Sequence, residues 1–382
     1  MSLTERIKSR AVELGFNLVG VAPAGVAPHA DAYADWIASG MQGEMAYMAR
    51  DPDRRSDLRR ILPNAQSIIV VGLNYYTIDL PDDVKHDPSR GLMARYAWGV
   101  DYHDVMTPRL EDLAQFVREE SRRAGIPMPI ETKVYVDTGP VLERDWALAA
   151  GLGFIGKNTC LINPRMGSWL FLGVIVTDVE LTLIRNPSPS EGEGERIPSP
   201  VQGEEQGEGR MPGCGTCTRC LTACPTNAFP APHVLDARKC ISYLTIELKG
   251  SIPVELRPLM GNRIFGCDIC QDVCPWPTRF AAPTKERSFY PAQWPSAIDL
   301  DHAAPKLIDL AQLSEEDFKQ RFAGTSILRA KRHGLLRNVA VALGNWGSPE
   351  AREALQKLAN DPDPLIAEHA AWGLSQPSAS TE

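Results

Sequence analysis

Eight of the nine cysteines of the chain lie between residues 213 and 275, in two groups with regular spacing. The first group has the spacing C-x2-C-x2-C-x3-C-P and is formed by Cys214, Cys217, Cys220 and Cys224. The second group is one cysteine shorter and is formed by Cys267, Cys270 and Cys274. Both groups end in Cys-Pro, and Cys240 stands alone between them. This spacing is the ligand pattern of bacterial ferredoxins with two [4Fe–4S] clusters, so it predicts one-electron transfer.

The spacing also predicts which cysteines share a cluster. Three thiolates two residues apart can bind three corners of one cubane, whereas the cysteine before the proline faces the neighbouring cluster. Cys240 is the obvious replacement for the cysteine that the second group lacks. We therefore expect the first cluster to be bound by Cys214, Cys217, Cys220 and Cys274. The second cluster is expected to be bound by Cys224, Cys240, Cys267 and Cys270.

Other chemistries of cysteine pairs explain this pattern less well. Paired C-x2-C motifs also form zinc sites with four cysteine ligands, but zinc does not account for the third cysteine of the first group or for the two Cys-Pro endings. Disulfides need an oxidising compartment, and the first residues lack the apolar segment of a signal peptide. The longest apolar run, 169–176, is shorter than the roughly 20 residues of a membrane span. We expect a cytoplasmic protein with no membrane partner.

The remaining sequence predicts further domains on both sides of the cysteine module, which is expected to be ferredoxin-like and to occupy residues 213–290. Strands and helices alternate through residues 1–185, as in an α/β layer domain. Residues 186–212 are rich in Pro, Ser, Gly and Glu and are predicted to be a disordered insertion. Two similar helical segments, 335–345 and 365–375, predict a HEAT-like domain of helices within residues 291–382.

Charge is distributed unevenly along the chain, whose formal net charge is −8. The insertion is acidic, with six Glu and two Arg between residues 188 and 210. Residues 318–349 contain no acid and six basic residues, which are Lys319, Arg321, Arg329, Lys331, Arg332 and Arg337. The net charge argues weakly against a nucleic-acid partner, but the basic run predicts a positive surface on the C-terminal helices.

Two motifs of the first domain allow more than one interpretation. Residues 151–159 approach the G-x-G-x-x-G and P-loop motifs, but helix-forming residues precede the glycines and strand-like residues follow, so nucleotide binding is not expected. The glycines leave room for close approach of the backbone to a ligand. Asp137 ends a predicted strand, a favoured catalytic position in α/β folds, although an N-cap of a helix at Pro140 is the simpler interpretation. Cys160 is expected to be a small buried hydrophobe rather than a nucleophile.

Longer motifs resemble the epoxyqueuosine reductase family and together cover nearly the whole chain. They are 135–140, 143–144, 151–159, 167–173, 240–247, 266–275, 324–325, Arg329 and 334–338. The resemblance implies a cobalamin-dependent oxidoreductase that reduces epoxyqueuosine to queuosine at the wobble position of tRNA, the last step of queuosine biosynthesis. It also implies that the first domain holds base-off cobalamin against the cysteine module. An external low-potential donor would supply electrons through the clusters, and Asp137 matches the proton donor proposed for the family.

The resemblance further implies contact residues, which we transfer only where a motif matches. The cofactor-binding candidates are Arg60, Asp137, Asn158, Leu161, Leu172, Ser242, Asp268 and Ile269. The tRNA-binding candidates are Lys249, Arg329, Lys331 and Arg332, because basic side chains neutralise phosphates. We expect a monomer. The alternatives are a corrinoid enzyme similar to reductive dehalogenases, a ferredoxin-type electron carrier and a tRNA-binding module without catalysis.

Overall fold

The computed structural model of the protein describes residues 1–182, 213–291 and 300–378. The acidic insertion predicted at 186–212 lies outside the described residues, so its disorder stays a prediction. Among the helices of the described residues, none has both the length and the apolar character that crossing a bilayer requires.

The strands of the first part of the chain form one main sheet and one small hairpin. The strands within the described residues are β1 (Leu18–Pro23), β2 (Ser67–Asn74), β3 (Leu92–Met93), β4 (Thr132–Tyr135), β5 (Phe154–Ile155), β6 (Leu161–Ile162), β7 (Leu170–Thr177) and β8 (Arg263–Phe265). The main sheet has the order β1–β2–β7–β4, with antiparallel pairing throughout. Strands β5 and β6 form the hairpin, and β3 pairs with β8 of the cysteine module in parallel.

Helices surround this sheet, connect the cysteine motifs and form the C-terminal part of the protein. The α-helices within the described residues are α1 (Leu3–Glu13), α2 (Ala30–Ala38), α3 (Ala46–Ala49), α4 (Pro52–Ser56), α5 (Asp82–Lys85), α6 (Tyr102–Arg123), α7 (Glu143–Ala149), α8 (Arg219–Ala223), α9 (Ile241–Ile246), α10 (Ile269–Asp272), α11 (Pro275–Phe280), α12 (Leu300–Ala303), α13 (Leu307–Leu310), α14 (Glu315–Arg321), α15 (Lys331–Trp346), α16 (Pro349–Leu358) and α17 (Pro364–Ser375).

Both faces of the sheet are covered, which explains why β2 is buried at every position. Successive side chains of a strand point to opposite faces. Ile69 and Val71 enter a core shared with α1 and α6, whereas Ile68 and Val70 enter a core shared with α7. The predicted layered arrangement of strands and helices is therefore present. Because the sheet is antiparallel, the rule that places catalytic residues at the carboxyl edge of a parallel sheet does not apply to Asp137.

One predicted helix is interrupted in the structure. The sequence predicted a continuous helix over residues 29–49, but α2 ends at Ala38 and α3 begins at Ala46. Gly40 and Gly43 lie between them with φ angles of +64° and +59°. Glycine adopts this left-handed conformation without steric cost, and two such residues end the helix.

A second predicted helix begins earlier than expected. The sequence predicted a start at Pro108, whereas α6 begins at Tyr102 and contains the proline. The carboxylate of Asp101 accepts a hydrogen bond from the backbone N–H of His103 and caps the helix. This extra turn is important for function because it fixes the position of Tyr102.

The cysteine module shares its hydrophobic packing with the domains on either side. Ile241, Leu244 and Met260 form a core together with Val341 of α15. Cys274 and Trp276 pack with the β5–β6 hairpin. A module that contributes so little apolar core depends on its neighbours, and on any metal that it binds, for its fold.

The C-terminal helices pack as a helical repeat with the bounds that the sequence predicted to within a few residues. Helices α15, α16 and α17 contact one another and share one core with α13. Gly344 of α15 lies against Gly373 of α17 so closely that a Cβ at Gly344 would be 2.7 Å from the Cα of Gly373. Glycine at this crossing lets the two helix backbones approach.

Arg337 anchors the C-terminal helices to the cysteine module and does not belong to a basic surface. Its side chain is buried, and it donates hydrogen bonds to the backbone carbonyls of Leu244, Leu248 and Gly250 over 2.6–2.8 Å. Burial lowers the pKa of Arg337 to about 10, so the guanidinium is still charged at neutral pH. The prediction that Arg337 contributes to phosphate binding was wrong.

We expect Arg337→Met to destabilise this junction by about 3 kcal/mol, because three buried carbonyls lose their donor. Urea unfolding of the protein with assembled clusters, followed by far-ultraviolet circular dichroism, measures the effect as a lower midpoint. Lys319→Met is the matched control, since Lys319 is exposed and forms only an (i, i+4) pair with Glu315. Equal midpoints for the two variants would show that the buried contacts do not stabilise the junction.

Candidate functional site

The four cysteines predicted to bind the first cluster line one cavity. Its lining includes Cys214, Cys217, Cys220, Cys274, Asn158 and Trp276. Burial and the neighbouring thiols raise the pKa of Cys220 to about 11. A single zinc ion, with Zn–S bonds of about 2.3 Å, would draw four sulfurs together around one point. The spacing of the cysteines, rather than the size of this cavity, is the argument for a cluster.

The other four predicted ligands converge at a second position, where Cys240 precedes α9 and Cys267 follows β8. Burial raises the pKa of Cys240, and Cys224 acts on it electrostatically. Burial raises the pKa of Cys267 to about 12, with a contribution from Cys240. Cys270 in turn lies within the electrostatic reach of Cys267 and Cys240. The structure thus brings together the residues that the spacing assigned to the second cluster.

The glycine-rich segment 151–159 fastens both cysteine sets to the first domain. The Nζ of Lys157 donates to the carbonyls of Gly215 and Cys217, and its backbone N–H points at the sulfur of Cys214. The side-chain amide of Asn158 donates to the carbonyl of Cys270 over 3.2 Å. Hydrogen bonds to ligand sulfurs are one of the influences on cluster potential.

The glycines of this segment pack against the chain itself. A Cβ at Gly153 would lie 2.3 Å from the carbonyl oxygen of Ile162. The prediction that the helix precedes these glycines and a strand follows is in agreement with α7, β5 and β6. The open space for a ligand that we expected at the glycines is taken by the β5–β6 hairpin.

The ninth cysteine, Cys160, lies beside the second set. Its thiol shares a hydrogen bond with Cys270, and this contact lowers the pKa of Cys160 to about 7 although burial opposes the shift. The sequence predicted a small buried hydrophobe, whereas the side chain is half-buried and contacts a predicted cluster ligand.

Asp137 is held in place by groups from two distant parts of the chain. Its backbone is in the left-handed region, with φ of +59°, which is uncommon outside glycine and typical of functional positions. Its carboxylate accepts a hydrogen bond of 2.7 Å from the hydroxyl of Tyr102 and lies 3.7 Å from a nitrogen of Arg329. The alternative role as N-cap was wrong, because α7 begins at Glu143 and Leu142 is its cap residue.

A second layer of contacts supports this arrangement. Nε2 of His103 accepts from a guanidinium nitrogen of Arg329 over 3.4 Å, and Nδ1–H of His103 donates to the carboxylate of Asp101 over 2.7 Å. Burial alone would raise the pKa of Asp101, but hydrogen bonds from His103 and the charge of Arg329 lower it. The carboxylate of Asp101 is therefore an anion that orients His103 and, through it, Arg329.

Sequence reasoning missed two further groups beside Asp137. Glu143 is half-buried, and within the described residues its buried Oε1 has no hydrogen-bond partner. Loss of solvation next to Asp137 raises the pKa of Glu143 to about 8. Burial raises the pKa of Tyr47 to about 12, and Glu247 and Asp137 act on it as well. The signal for a pocket in the sequence is the density of polar and aromatic residues in 94–103. That segment contains Tyr102 but neither Glu143 nor Tyr47.

Polar groups form a continuous ring from Asp137 to the second cysteine set. Burial raises the pKa of Tyr96, on which the charges of both Asp137 and Asp268 act. Asp268 in turn acts on Cys160, as does Arg144, the residue that follows Glu143. Tyr96 also lies against Gly266, directly before Cys267. Asp137 and the second cluster site therefore border the same part of the molecule.

Three family models match consecutive parts of this chain. Residues 55–138 match epoxyqueuosine reductase QueG (DUF1730), residues 213–277 match a 4Fe-4S double cluster binding domain, and residues 325–381 match HEAT repeats. The epoxyqueuosine reductase of Xanthomonas campestris is 40% identical over 374 residues, which cover 97% of this chain and 95% of the relative. The chain belongs to the epoxyqueuosine reductase family.

Solved structures of this family have the same fold. An epoxyqueuosine reductase bound to a tRNA-Tyr stem loop modified with epoxyqueuosine has a TM-score of 0.80 at 29% identity, with 97% of this chain and 89% of that chain covered. The Bacillus subtilis enzyme, solved with the loop of its catalytic aspartate swung out of the active site, has a TM-score of 0.77 at 29% identity over the same shares. The double-cluster domain and the helical repeats predicted from the sequence are confirmed.

The residues predicted to bind cofactor fall into two groups in this member of the epoxyqueuosine reductase family. Ser242 and Ile269 direct backbone N–H groups at the sulfurs of Cys240 and Cys267. Asp268 is half-buried and accepts a hydrogen bond from the backbone N–H of Arg95. Loss of solvation at its carboxyl group raises the pKa of Asp268 to about 7. These three residues and Asn158 therefore surround the second cluster site.

The other predicted cofactor residues border the core between the sheet and α7. Leu161 is buried in this core and Leu172 packs against it. Arg60 is exposed at the end of a short 3-10 helix, Leu58–Arg60, whose first residue belongs to the same core. All three assignments stay predictions.

The four residues predicted to contact tRNA differ in exposure and in their contacts. Lys249 and Lys331 are exposed and remain candidates for phosphate binding. Arg332 instead forms an ion pair of 2.7 Å with Asp361 and donates to the carbonyl of Leu313. Arg329 faces Asp137. The structure thus gives Arg332 a role in packing and places Arg329 beside Asp137.

Proposed function

We propose that this protein reduces epoxyqueuosine in tRNA to queuosine, with Asp137 as the proton donor. The observation that carries the assignment is that the Asp137–Tyr102 pair borders the same region as the predicted second cluster. The 40% identity of the chain to an epoxyqueuosine reductase supports it. Opening the epoxide to an alkene consumes two electrons and two protons and releases the oxygen as water. The clusters would deliver the electrons singly, and the carboxyl group would supply a proton to the departing oxygen.

Cobalamin in its base-off form is the cofactor that we propose between the clusters and the substrate. The corrin has a rim of amide side chains, and the ring of polar groups from Asp137 through Tyr96 to Asp268 offers donors and acceptors to it. The unpartnered buried oxygen of Glu143 is in this ring. Bound there, the reduced cobalt supplies the two-electron chemistry that clusters alone do not perform. Ser242, Asp268, Ile269, Asn158, Leu161, Leu172 and Arg60 are the residues proposed to hold it.

The substrate of the proposed reaction is a tRNA whose anticodon loop must reach Asp137. The solved relative with a modified tRNA stem loop supports this partner. Lys249 and Lys331 are the exposed cations proposed to contact its phosphates. We further propose that the protein acts as a cytoplasmic monomer that receives electrons from an external low-potential donor.

The test is nucleoside analysis by mass spectrometry after anaerobic incubation. Protein with both clusters and cobalamin is incubated with dithionite and tRNA that bears epoxyqueuosine. Conversion to queuosine is the expected result, and it should stop when cobalamin is left out. Persistence of epoxyqueuosine with fully loaded protein would overturn the proposed function.

Arg329 provides a separate prediction about this site. Because it contacts Asp137 and His103, we expect Arg329→Met to lower kcat by about tenfold, the size of one lost charged contact. The KM for tRNA should change less than about threefold, because the side chain does not serve a phosphate. Lys331→Met is the matched control, and it should raise the KM with little change in kcat. A raised KM for tRNA with unchanged kcat in Arg329→Met would instead show that Arg329 contacts the RNA.

A further inference from the structure

An open groove lies on the cysteine module directly above the first cluster site. Its volume is about 630 Å³, and it is lined by Thr218, Arg219, Thr222, Ala223, Asp272, Val273 and Thr278. Helices α8 and α10 contact each other beneath it. Arg219 lines both this groove and the cavity of the first four cysteines. A molecule in the groove would therefore be separated from the first cluster by little more than one side chain and the motif backbone.

The surface around this groove is positive. Arg219 and Arg279 are exposed, and within the residues that the structure describes neither guanidinium has a carboxylate partner. Arg279 lies over the ring of Phe280, at 5.4 Å from its centroid. Lys157 adds a third cation, bonded to two carbonyls of the first cysteine loop. Asp272 is the one carboxylate among the seven lining residues.

Part of the second cysteine set lies away from the groove lining. Cys240 and Cys267 pack against the core that Leu244 and Val341 form between the module and the C-terminal helices, and neither cysteine lines the groove. Electrons that enter at the groove would reach the first cluster, then the second, and then the proposed cofactor position. In this order, electrons enter the two-cluster module at the first cluster and leave it at the second cluster.

We propose that this groove is the docking site of a small acidic one-electron carrier protein. The inference rests on the proposed function, which requires two electrons for each epoxide. Each docked carrier is oxidised by one electron and leaves, so two encounters reduce one substrate, and two protons leave with the epoxide oxygen as water. Uncompensated arginines at a redox surface attract an acidic partner and accelerate its association. An RNA partner fits less well, because the lining residues do not include any of the groups that surround Asp137.

The experiment compares two reductants on the same protein. The double variant Arg219→Glu and Arg279→Glu is assayed with a reduced bacterial flavodoxin, an acidic one-electron carrier, and separately with dithionite, which needs no docking surface. We expect the KM for flavodoxin to rise about tenfold or more at low salt, and the difference to shrink as salt screens the charges. Because Arg219 also lines the cavity of the first four cysteines, the rate of the double variant with dithionite at equal iron content is the reference for its rate with flavodoxin. Arg279→Glu alone should keep the rate with dithionite within about twofold. Lys133→Glu, the same charge reversal at one position on the exposed edge strand β4, should leave both rates unchanged.

Further readouts separate the possible failures. The oxidation of reduced flavodoxin by the clusters, followed optically without tRNA, reports docking even if the protein does not produce queuosine. An unchanged KM for flavodoxin in the double variant would overturn the docking site. A raised KM for tRNA with unchanged flavodoxin kinetics would also overturn it and assign the surface to RNA. If the double variant loses iron, the Arg219→Gln and Arg279→Gln pair replaces it, with an expected effect of about threefold in the same direction.

Discussion

Changing Asp137 to asparagine is expected to lower kcat for epoxide reduction by a factor of about 10² to 10⁴, the range for loss of a positioned general acid. Asparagine keeps the size of the side chain and still accepts the hydrogen bond from Tyr102. It cannot release a proton to the departing oxygen at a comparable rate. The nucleoside assay with dithionite measures the change directly, without dependence on a protein donor.

The D137N variant must otherwise resemble the wild-type protein for this test to be decisive. Its iron content and its affinity for tRNA should be unchanged, because Asp137 is neither a predicted cluster ligand nor a predicted tRNA contact. Its turnover is compared at equal cobalamin content, because Asp137 is also a predicted cofactor contact. Asp178→Asn is the matched control. Asp178 accepts a backbone hydrogen bond from Glu131 at the end of β7, and its loss should alter turnover by less than about twofold. Full turnover by D137N with normal cofactor content would remove Asp137 from the mechanism.

The second large effect is expected at Cys240. If this isolated cysteine completes the second cubane, Cys240→Ser should reduce the iron content from about eight to about four atoms per chain, the content of one cubane. Turnover should then be lost, because electrons could no longer pass from the first cluster to the proposed cofactor. Iron analysis and electron paramagnetic resonance of the reduced protein, both under anaerobic conditions, measure the number of clusters.

Cys160 provides the matched control for this prediction. It is the only other cysteine whose thiol the described structure places against the second set, where it contacts Cys270. Cys160→Ser should keep about eight irons, because the chain already supplies four cysteines to each cubane. Loss of a cluster from C160S, with full iron in C240S, would exchange the roles of the two residues and show that the spacing argument selected the wrong ligand.

The features that the sequence alone determined are those whose physical cause is local. Three cysteines two residues apart can bind three corners of a cubane whatever surrounds them, so spacing alone predicts the ligand sets. Apolar periodicity located α1, β2 and α16 to within a residue or two. Glycine-driven breaks such as the one at Gly40 were missed, because a glycine within an otherwise periodic segment is compatible with both a helix and a turn.

Tertiary structure alone decided what each basic side chain does. Arg329, Arg332 and Arg337 belong to one basic run in the sequence, yet they contact Asp137, Asp361 and the carbonyls of the cysteine module respectively. Composition alone does not distinguish these three arginines, because their contact partners lie between 29 and 192 positions away along the chain. Such contacts depend on how the domains pack against each other.

Asp137 illustrates the same division. From its neighbours in sequence it could equally have capped a helix, and the family resemblance was needed to prefer the role of a proton donor. The structure decides against the cap, because the chain turns through a left-handed residue and α7 starts six positions later. Tyr102 and Arg329 then meet at its carboxylate from α6 and from the segment before α15. The cysteine motifs are set by local spacing, whereas the group proposed to donate the proton is assembled only when three distant segments fold together.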